Sequence, residues 1–412
     1  MQERAASLFD ITIVGGGMVG ASLAVALAPL GLKAALLEAV PHDSAAQPSF
    51  DERTTALSNG SRRILDTLGL WADVEQSATA IRKIHVSDRG RFGFARIDAA
   101  EQGLAAMGYV VPNRVLGRAL WGRLGGSSDI CVHCPVEVLR ILPGQDSVAI
   151  EFTQAGEAMS IDTRLIVAAD GVQSAVRTAF GVEAEARDYE QTAVITTVLP
   201  QRFHDHVAYE RFTDTGPLAL LPLEGGRCAL VLTLSCEAAE SAMGWSDSEF
   251  LAELQQRFGF RLGRFLKVGR RSAYPLSLTR AAHTSAGRCI IIGNAAQGLH
   301  PVAGMGFNLG LRDAASLAEL VAERRHSDGF DAGMPSLTHE YDAWRAADRA
   351  GVIAFTDGLV RLFANPLGAV RRLRNVGLLA FDLLPPAKSA LSRLSSGGGA
   401  RVPKLARGVA LQ

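Results

Sequence analysis

The sequence predicts an α/β fold with a Rossmann-like dinucleotide-binding domain, an inserted β-sheet domain for substrate and a C-terminal helical region. A glycine-rich strand-turn-helix near the N-terminus, two later apolar strands ending in polar glycine corners, and β-rich segments between them point to it. A chain of 412 residues, 48% hydrophobic and 20% charged, is long enough for two or three such units. Its 42 basic side chains match 42 acidic ones, so it lacks the field of a nucleic-acid binder, and no nucleic-acid partner is expected.

Phe9 to Val14 is a short apolar run rich in β-formers. Gly15-Gly-Gly17-Met-Val-Gly20 then opens a helical run from Ala21 to Leu30, and Lys33 to Leu37 resumes as a strand ending at Glu38. This is a β-α-β unit. Gly15 permits the tight turn, Gly17 lets the backbone approach a pyrophosphate, and Gly20 lets the helix lie close to the strand. The helix N-terminus offers unpaired N–H groups and partial positive charge to the phosphates. Glu38, 18 residues after Gly20, stands where a carboxylate accepts hydrogen bonds from an adenosine ribose and disfavours a 2′-phosphate. FAD or NAD, rather than NADP, is the expected resident nucleotide; this unit alone does not choose between them.

Two later segments extend the pattern. Arg164 to Arg177 is an apolar strand that delivers Asp170-Gly171, followed by a helix that Ser174 is placed to cap. Cys289 to Asp313 is a buried strand ending at Gly293-Asn294, and after Pro301 a glycine-rich turn starts an amphipathic helix running to about Arg325. Ile11 to Leu32 and Cys289 to Leu311 carry no Asp, Glu, Lys or Arg, and each has the ~20 residues that cross a bilayer. Glycines and Pro29 break the first run, and Asn294, His300 and Pro301 break the second, so neither reads as a membrane span. Five cysteines without a secretory leader pattern imply free thiols and a cytoplasmic chain. Cys131-Val-His-Cys134 is the one metal-like spacing, but on a strand its cysteines face opposite sides, so no metal site is expected.

The order Gly-x-Gly-x-x-Gly, Asp-Gly, then Gly293-Asn-Ala-Ala and His300-Pro-Val-Ala-Gly304-Met-Gly306-Phe-Asn308-Leu-Gly-Leu-Arg-Asp313 resembles the single-component FAD-dependent aromatic hydroxylases related to para-hydroxybenzoate hydroxylase. Among these it is most similar to the ubiquinone-biosynthesis hydroxylases. Phe50 to Leu57, Ile84 to Gly90, Glu210 to Phe212, Gly216 to Ala219, Arg271 to Leu276 and Leu362 to Asn365 resemble the branch acting on 2-octaprenyl-6-methoxyphenol.

The resemblance implies resident FAD. It places Arg53 and Arg118 near the FAD phosphates or ribityl chain, Asp170 and Gly171 against FAD and the passing nicotinamide nucleotide, and Asn294 on the ribityl chain. Pro301 and the turn Gly304-Met305-Gly306-Phe307-Asn308 would set backbone N–H groups against flavin N1 and O2, where negative charge develops on reduction. The family usually has Gln where this chain has Met305, and Met fills apolar space well. His300 is expected to orient structure or flavin. Neither it nor Tyr274 is assigned as a general base, and the catalytic residues stay unassigned. The implied reaction uses NADPH or NADH and molecular oxygen to hydroxylate a polyprenylphenol. A sister hydroxylase acting at another ring position, a flavin reductase, and a noncatalytic flavoprotein subunit of a ubiquinone-biosynthesis complex are the alternatives.

On this reading the FAD domain is discontinuous, residues 8–80, 110–181 and 288–349, because its motifs must converge. Residues 81–109 and 182–287 form the β-rich substrate domain, 350–394 a helical region and 395–412 a flexible tail. Val352 to Leu394 mixes apolar residues with Arg361, Arg371, Arg372, Arg374, Lys388 and Arg393. For a polyprenylated substrate this implies either a peripheral contact with the inner face of the cytoplasmic membrane or a helical cap with a solvated basic face.

Overall fold

The computed structural model describes residues 7–44, 46–126, 128–301, 304–364, 367–395 and 401–412. The chain enters through β1 (Ser7–Val14), α1 (Met18–Leu27) and β2 (Ala34–Leu37). It continues with β3 (Thr54–Ser58), α2 (Asn59–Thr67), α3 (Trp71–Val74) and β4 (Thr79–Ile81), then leaves with β5 (Lys83–Asp88) and β6 (Phe94–Asp98). It returns as β7 (Gly108–Pro112), α4 (Asn113–Gly125), β8 (Ile130–His133), β9 (Glu137–Pro143), β10 (Val148–Gln154), β11 (Glu157–Ala168) and α5 (Ala175–Ala179). A second excursion holds β12 (Ala184–Pro200), β13 (Val207–Thr213), β14 (Gly216–Pro222), β15 (Cys228–Ser235), α6 (Cys236–Gly244), α7 (Asp247–Phe258), β16 (Phe265–Val268) and β17 (Ser272–Ala281). Then come β18 (Ser285–Ala286), β19 (Cys289–Ile291), β20 (Gln297–Gly298), α8 (Met305–Arg324), α9 (Pro335–Ala364), α10 (Gly368–Leu383) and α11 (Pro385–Ser395).

β19, β11, β1, β2 and β8 form a parallel core, with β10 and β9 added antiparallel beyond β11. Its strands read as nearly continuous apolar runs because both faces are covered. Ile11, Ile13, Leu36, Leu165 and Val167 share a core with α1, α4 and α8, whereas Val14, Leu37, Ile166 and Ala168 share one with Val148, Ile150, Phe152 and Val176.

Both excursions build one second sheet, ordered β20-β17-β12-β15-β14-β13-β5-β6 with β16 on β12. It is antiparallel except where β5 meets β13. One face carries Val194, Tyr209, Leu218, Leu230 and Leu232 beneath Phe250, Leu254 and Phe258 of α7. The opposite face meets the first layer through the small sheet β3-β7-β4: Ala208, Leu221 and Ala229 pack on Ala56, Ile81 and Val110.

The C-terminal end corrects one expectation. Asn365 and residues 396–400 lie outside the described residues, but Arg401–Gln412, expected as flexible tail, is held on the first layer. Leu405, Ala406 and Leu411 are buried in its core, Leu405 O accepts from the Thr67 hydroxyl at 3.1 Å, and Lys404 N–H donates to buried Glu319. Arg401 lies over Trp344 at 3.8 Å and bonds Glu340 and Glu323. A segment that fills apolar space and neutralises a buried carboxylate does not behave as a linker.

Candidate flavin site

The N-terminal turn is built from backbone crowding. Gly15 has φ +102°, and a Cβ there would stand 2.4 Å from Ala169 O at the end of β11. At Gly20 a Cβ would stand 1.9 Å from Gly15 O, so no side chain fits between α1 and the turn. Gly17 caps α1 without a side-chain hydrogen bond, and no acidic residue occupies the first turn. The N–H groups and positive dipole end of α1 therefore stay available to an anion.

Glu38 follows β2 and is buried. Its carboxylate accepts from Gly16 N–H, from Val40 N–H at 2.9 Å and from the Gln47 amide at 3.4 Å. Trp121 of α4, which no motif singled out, donates its indole N–H to Gly16 O at 3.1 Å and stacks on His42. Arg53 is part-exposed, bonded through Nε to Asp51 at 2.7 Å and placed over Tyr274 at 4.6 Å. Tyr274 in turn donates to Asp51 at 3.1 Å, which joins the loop before β3 to the second sheet. Arg118 of α4 is exposed.

Asp170 and Gly171 follow β11. One Asp170 oxygen accepts from Val176 N–H at 3.1 Å; the other, Oδ1, is buried with no hydrogen-bond partner among the described residues. Ser174 caps α5 by accepting from Arg177 N–H at 2.9 Å. The Arg177 guanidinium donates to Ala295 O at 2.7 Å and so fastens this corner to the one at Gly293-Asn294. Asn294 itself is exposed there.

Gly304 caps α8 with left-handed geometry, and among the described residues no side chain caps this second helix N-terminus. Val302 and Ala303 lie outside the described residues; Pro301 is exposed and Gly306 part-buried. The Asn308 side chain is spent on protein: its amide donates to Ala56 O and Gly304 O, and its oxygen accepts from Ser58 N–H, tying α8 to β3. Met305 is buried with Leu309, Val352 and Leu299, an apolar cluster that suits Met where the family has Gln. His300 is buried edge-to-face against Tyr189, and burial pushes its imidazole down to about 4, so it is neutral near pH 7. Buried Asp313 was not singled out either. It accepts from Gly293 N–H at 3.2 Å and Gln297 at 2.8 Å and pairs with Arg345 at 2.8 Å, fixing the corner from below. Its signal in the sequence was its place at the end of the His300 to Asp313 segment, which assigned it no role.

Two uncapped helix N-termini, a glycine turn without room for side chains and an orphaned carboxylate oxygen fit a dinucleotide carrying a diphosphate and a hydroxylated chain. A family profile described as FAD binding domain matches residues 9–353. Ubiquinone hydroxylase UbiL of Rhodospirillum rubrum is 38% identical over 407 residues, 98% of this chain and 93% of that one. The 3-demethoxyubiquinol 3-hydroxylase of Escherichia coli is 31% identical over 374 residues, 90% of this chain and 94% of that one. Among solved structures, p-nitrophenol 4-monooxygenase PnpA of Pseudomonas putida matches with a TM-score of 0.79 at 20% identity, covering 96% of this chain and 100% of that one, a likeness of fold. The chain therefore belongs to the FAD-binding family that includes the ubiquinone hydroxylases, and it is an FAD-dependent monooxygenase of that family.

Proposed function

We propose that this protein hydroxylates the ring of a polyprenylated methoxyphenol, with NADPH or NADH as reductant and molecular oxygen as co-substrate. The observation that carries the reading is the part-exposed apolar face of the second sheet, Val86, Ala219, Val231 and Ile195, turned toward the layer that holds the dinucleotide motifs. Such a surface suits an aromatic ring bearing a hydrocarbon tail. The names of the relatives support the substrate class, and that of the Escherichia coli relative favours, as a second reading, a sister ring position.

When bound, FAD supplies the electron transfer and oxygen activation. The chain holds and orients it. Gly15, Gly17, Gly20 and the α1 N-terminus take the pyrophosphate, and Glu38 takes the adenosine ribose. Arg53 and Arg118 serve the phosphates or the ribityl chain. Asp170 Oδ1 and Asn294 serve hydroxyls of the ribityl chain, with Gly171 allowing close approach. Pro301 and the backbone of Gly304, Met305, Gly306 and Asn308 bring the α8 dipole to the flavin ring.

A prenyl unit of five carbons adds several kcal/mol at ~0.8 kcal/mol per buried methylene, so the tail stays in lipid or protein. We place the meeting with lipid at α10, on an anionic membrane face. Among the described residues no helix is long and apolar enough to cross a membrane. Leu373, Val376 and Leu383 of α10, and Leu384 just after it, are each more than half exposed, the first three on one side of the helix, and Phe92 is exposed beside it. Three of the basic residues expected here are engaged with carboxylates. Arg374 is buried on Asp88, Lys388 pairs with Asp382 and Glu101, and Arg361 pairs with Asp357. The side chains of Arg371, Arg372 and Arg393 lie outside the described residues.

The test is turnover of the FAD-loaded protein with each nicotinamide nucleotide, a short-chain prenyl methoxyphenol and labelled oxygen gas. Substrate-stimulated NAD(P)H oxidation with one labelled oxygen in the product is expected. Oxidation without oxygen insertion would leave a flavin reductase, and tight FAD without oxidation a noncatalytic subunit.

A further inference from the structure

Strand register sets Val86, Glu210, Ala219, Val231, Ile195 and Ser272 side by side across β5, β13, β14, β15, β12 and β17. All six are part-exposed. The row lies on the face that meets the FAD layer. Two positions back along β13, Ala208 packs into the cluster of Ile81 and Val110; two positions forward, Phe212 stacks on Phe363 of α9 with centroids 3.3 Å apart. Tyr274, on the same face of β17, reaches Asp51 of the first layer. Glu210 therefore sits midway along a floor closed at both ends, deep in the protein but open to the space between the layers.

Glu210 is the one ionisable residue in that row. Among the described residues its carboxylate has no ion pair and no hydrogen bond, and burial alone pushes it up to about 7. Charged neighbours on the same face are already engaged. Asp88 of β5 is held by Arg374 and Asn375 of α10, and Tyr274 by Asp51 and Arg53 of the first layer; α9 presents Phe363. An unpaired carboxylate in an apolar floor costs stability, and such groups concentrate at working sites.

Resting on the phenol reading above, we propose that Glu210 is the catalytic proton acceptor for the ring hydroxyl of the substrate. The phenolic O–H bond breaks, the proton moves to the Glu210 carboxylate, and the electron pair left on oxygen raises electron density at the ortho and para carbons. Oxygen transfer to one of these leaves a dienone. That ring carbon then releases its proton to water, the carbonyl oxygen takes its proton back from Glu210, the other atom of the oxygen molecule leaves as water, and the diol product departs with the carboxylate restored. No oxidant is needed beyond the oxygen and nicotinamide nucleotide the monooxygenase reaction already uses. A base that titrates near the working pH suits this exchange.

The experiment compares wild type, Glu210→Gln and Glu210→Asp, each loaded with FAD and matched for flavin content and melting temperature. For Glu210→Gln, oxygen insertion should fall ~100-fold or more. Nicotinamide-driven flavin reduction should change only a few-fold, with the uninserted oxygen appearing as hydrogen peroxide. The wild-type hydroxylation rate should rise with pH through about 7, the Gln variant should lose that limb, and Glu210→Asp should keep part of it. A second readout is independent of turnover: a phenol of ordinary acidity bound to wild type should ionise at lower pH, by ultraviolet absorbance, than the same phenol bound to Glu210→Gln. A Gln variant that inserts oxygen within about threefold of wild type, with an unchanged pH limb, overturns the assignment alone. Wild type that neither binds nor hydroxylates any phenol overturns the substrate reading, and the assignment falls with it.

Discussion

One methyl group at Gly20 tests the dinucleotide turn. A Cβ there would stand 1.9 Å from Gly15 O, which is backbone and cannot swing aside, so Gly20→Ala must push α1 away from β1. The expected result is purification with little or no flavin and a stability loss of about 2 kcal/mol from overpacking, read from absorbance and denaturant melts. Flavin retained at the wild-type ratio would count against this turn as the pyrophosphate site. Met305 makes the opposite case. Restoring the family's Gln would bury an amide among Leu309, Val352 and Leu299, and an unpaired amide costs ~1–3 kcal/mol, so Met305→Gln should melt lower with FAD still bound. The glycines were legible in the sequence because their spacing records a steric demand within one short segment. Asp313 and Glu210 stand in segments that carry the family resemblance, but their roles, like that of Trp121, were not legible, because each acts through a partner or strand register set by distant segments: Trp121 through Gly16, Asp313 through Arg345, and Glu210 through Val86 and Ala219.

At the scale of elements, α10 inverts the usual amphipathic arrangement. Arg374 and Asn375 turn inward to Asp88 and to Gly93 N–H, and Asp382 accepts from Arg96 N–H at 2.7 Å, while the leucines face out. Leu373→Glu with Leu383→Glu should therefore weaken flotation with anionic liposomes at little cost in melting temperature, since both side chains are exposed. Arg374→Glu should lower the melting temperature instead, because it strands Asp88. Liposome binding that survives the double leucine change would refute α10 as the lipid contact. The C-terminal segment behaves as a structural element of the first layer. Removing residues 401–412 uncovers Leu405 and Leu411 and leaves buried Glu319 without Lys404 N–H and Arg401; a loss of roughly 3 kcal/mol or more is expected in urea melts. The glycine run before Arg401 reads as the start of a linker, and twelve residues are too few to show periodicity, which is why the sequence hid this strap.

For the molecule as a whole, these groups predict a stability maximum close to neutrality. His300 and His85 are almost fully buried, and both are pushed down to about 4, His300 by burial and His85 by burial together with Arg261, Arg96 and Arg211. Each stays neutral in the fold but protonates in the unfolded chain below about 6.5, so stability is lost as pH falls from 6.5 toward 4, on the order of 3 kcal/mol for each histidine. Carboxylates add to the loss only at lower pH. Asp348, whose burial penalty is outweighed by Arg345 and Arg312, and Glu340, bonded to Arg401, sit below their ordinary values, and their contribution disappears as pH falls through those lowered values. Glu210 has the opposite sign: its raised carboxyl favours the fold at low pH, and that contribution is lost as pH rises from 4.5 through about 7. Thermal melts of the FAD-loaded protein should therefore decline already between pH 6.5 and 5, where the two histidines outweigh the opposite contribution of Glu210 and the lowered carboxylates have not yet titrated. Glu210→Gln should gain on wild type as pH rises from 5 to 8. A melting temperature flat from pH 6.5 to 5 would mean that the buried histidines are not held neutral by the packing of the two layers. Because His300 lies at the flavin corner and His85 on the far face of the second sheet, replacing them singly by Gln should remove separate parts of the acid decline, roughly additively.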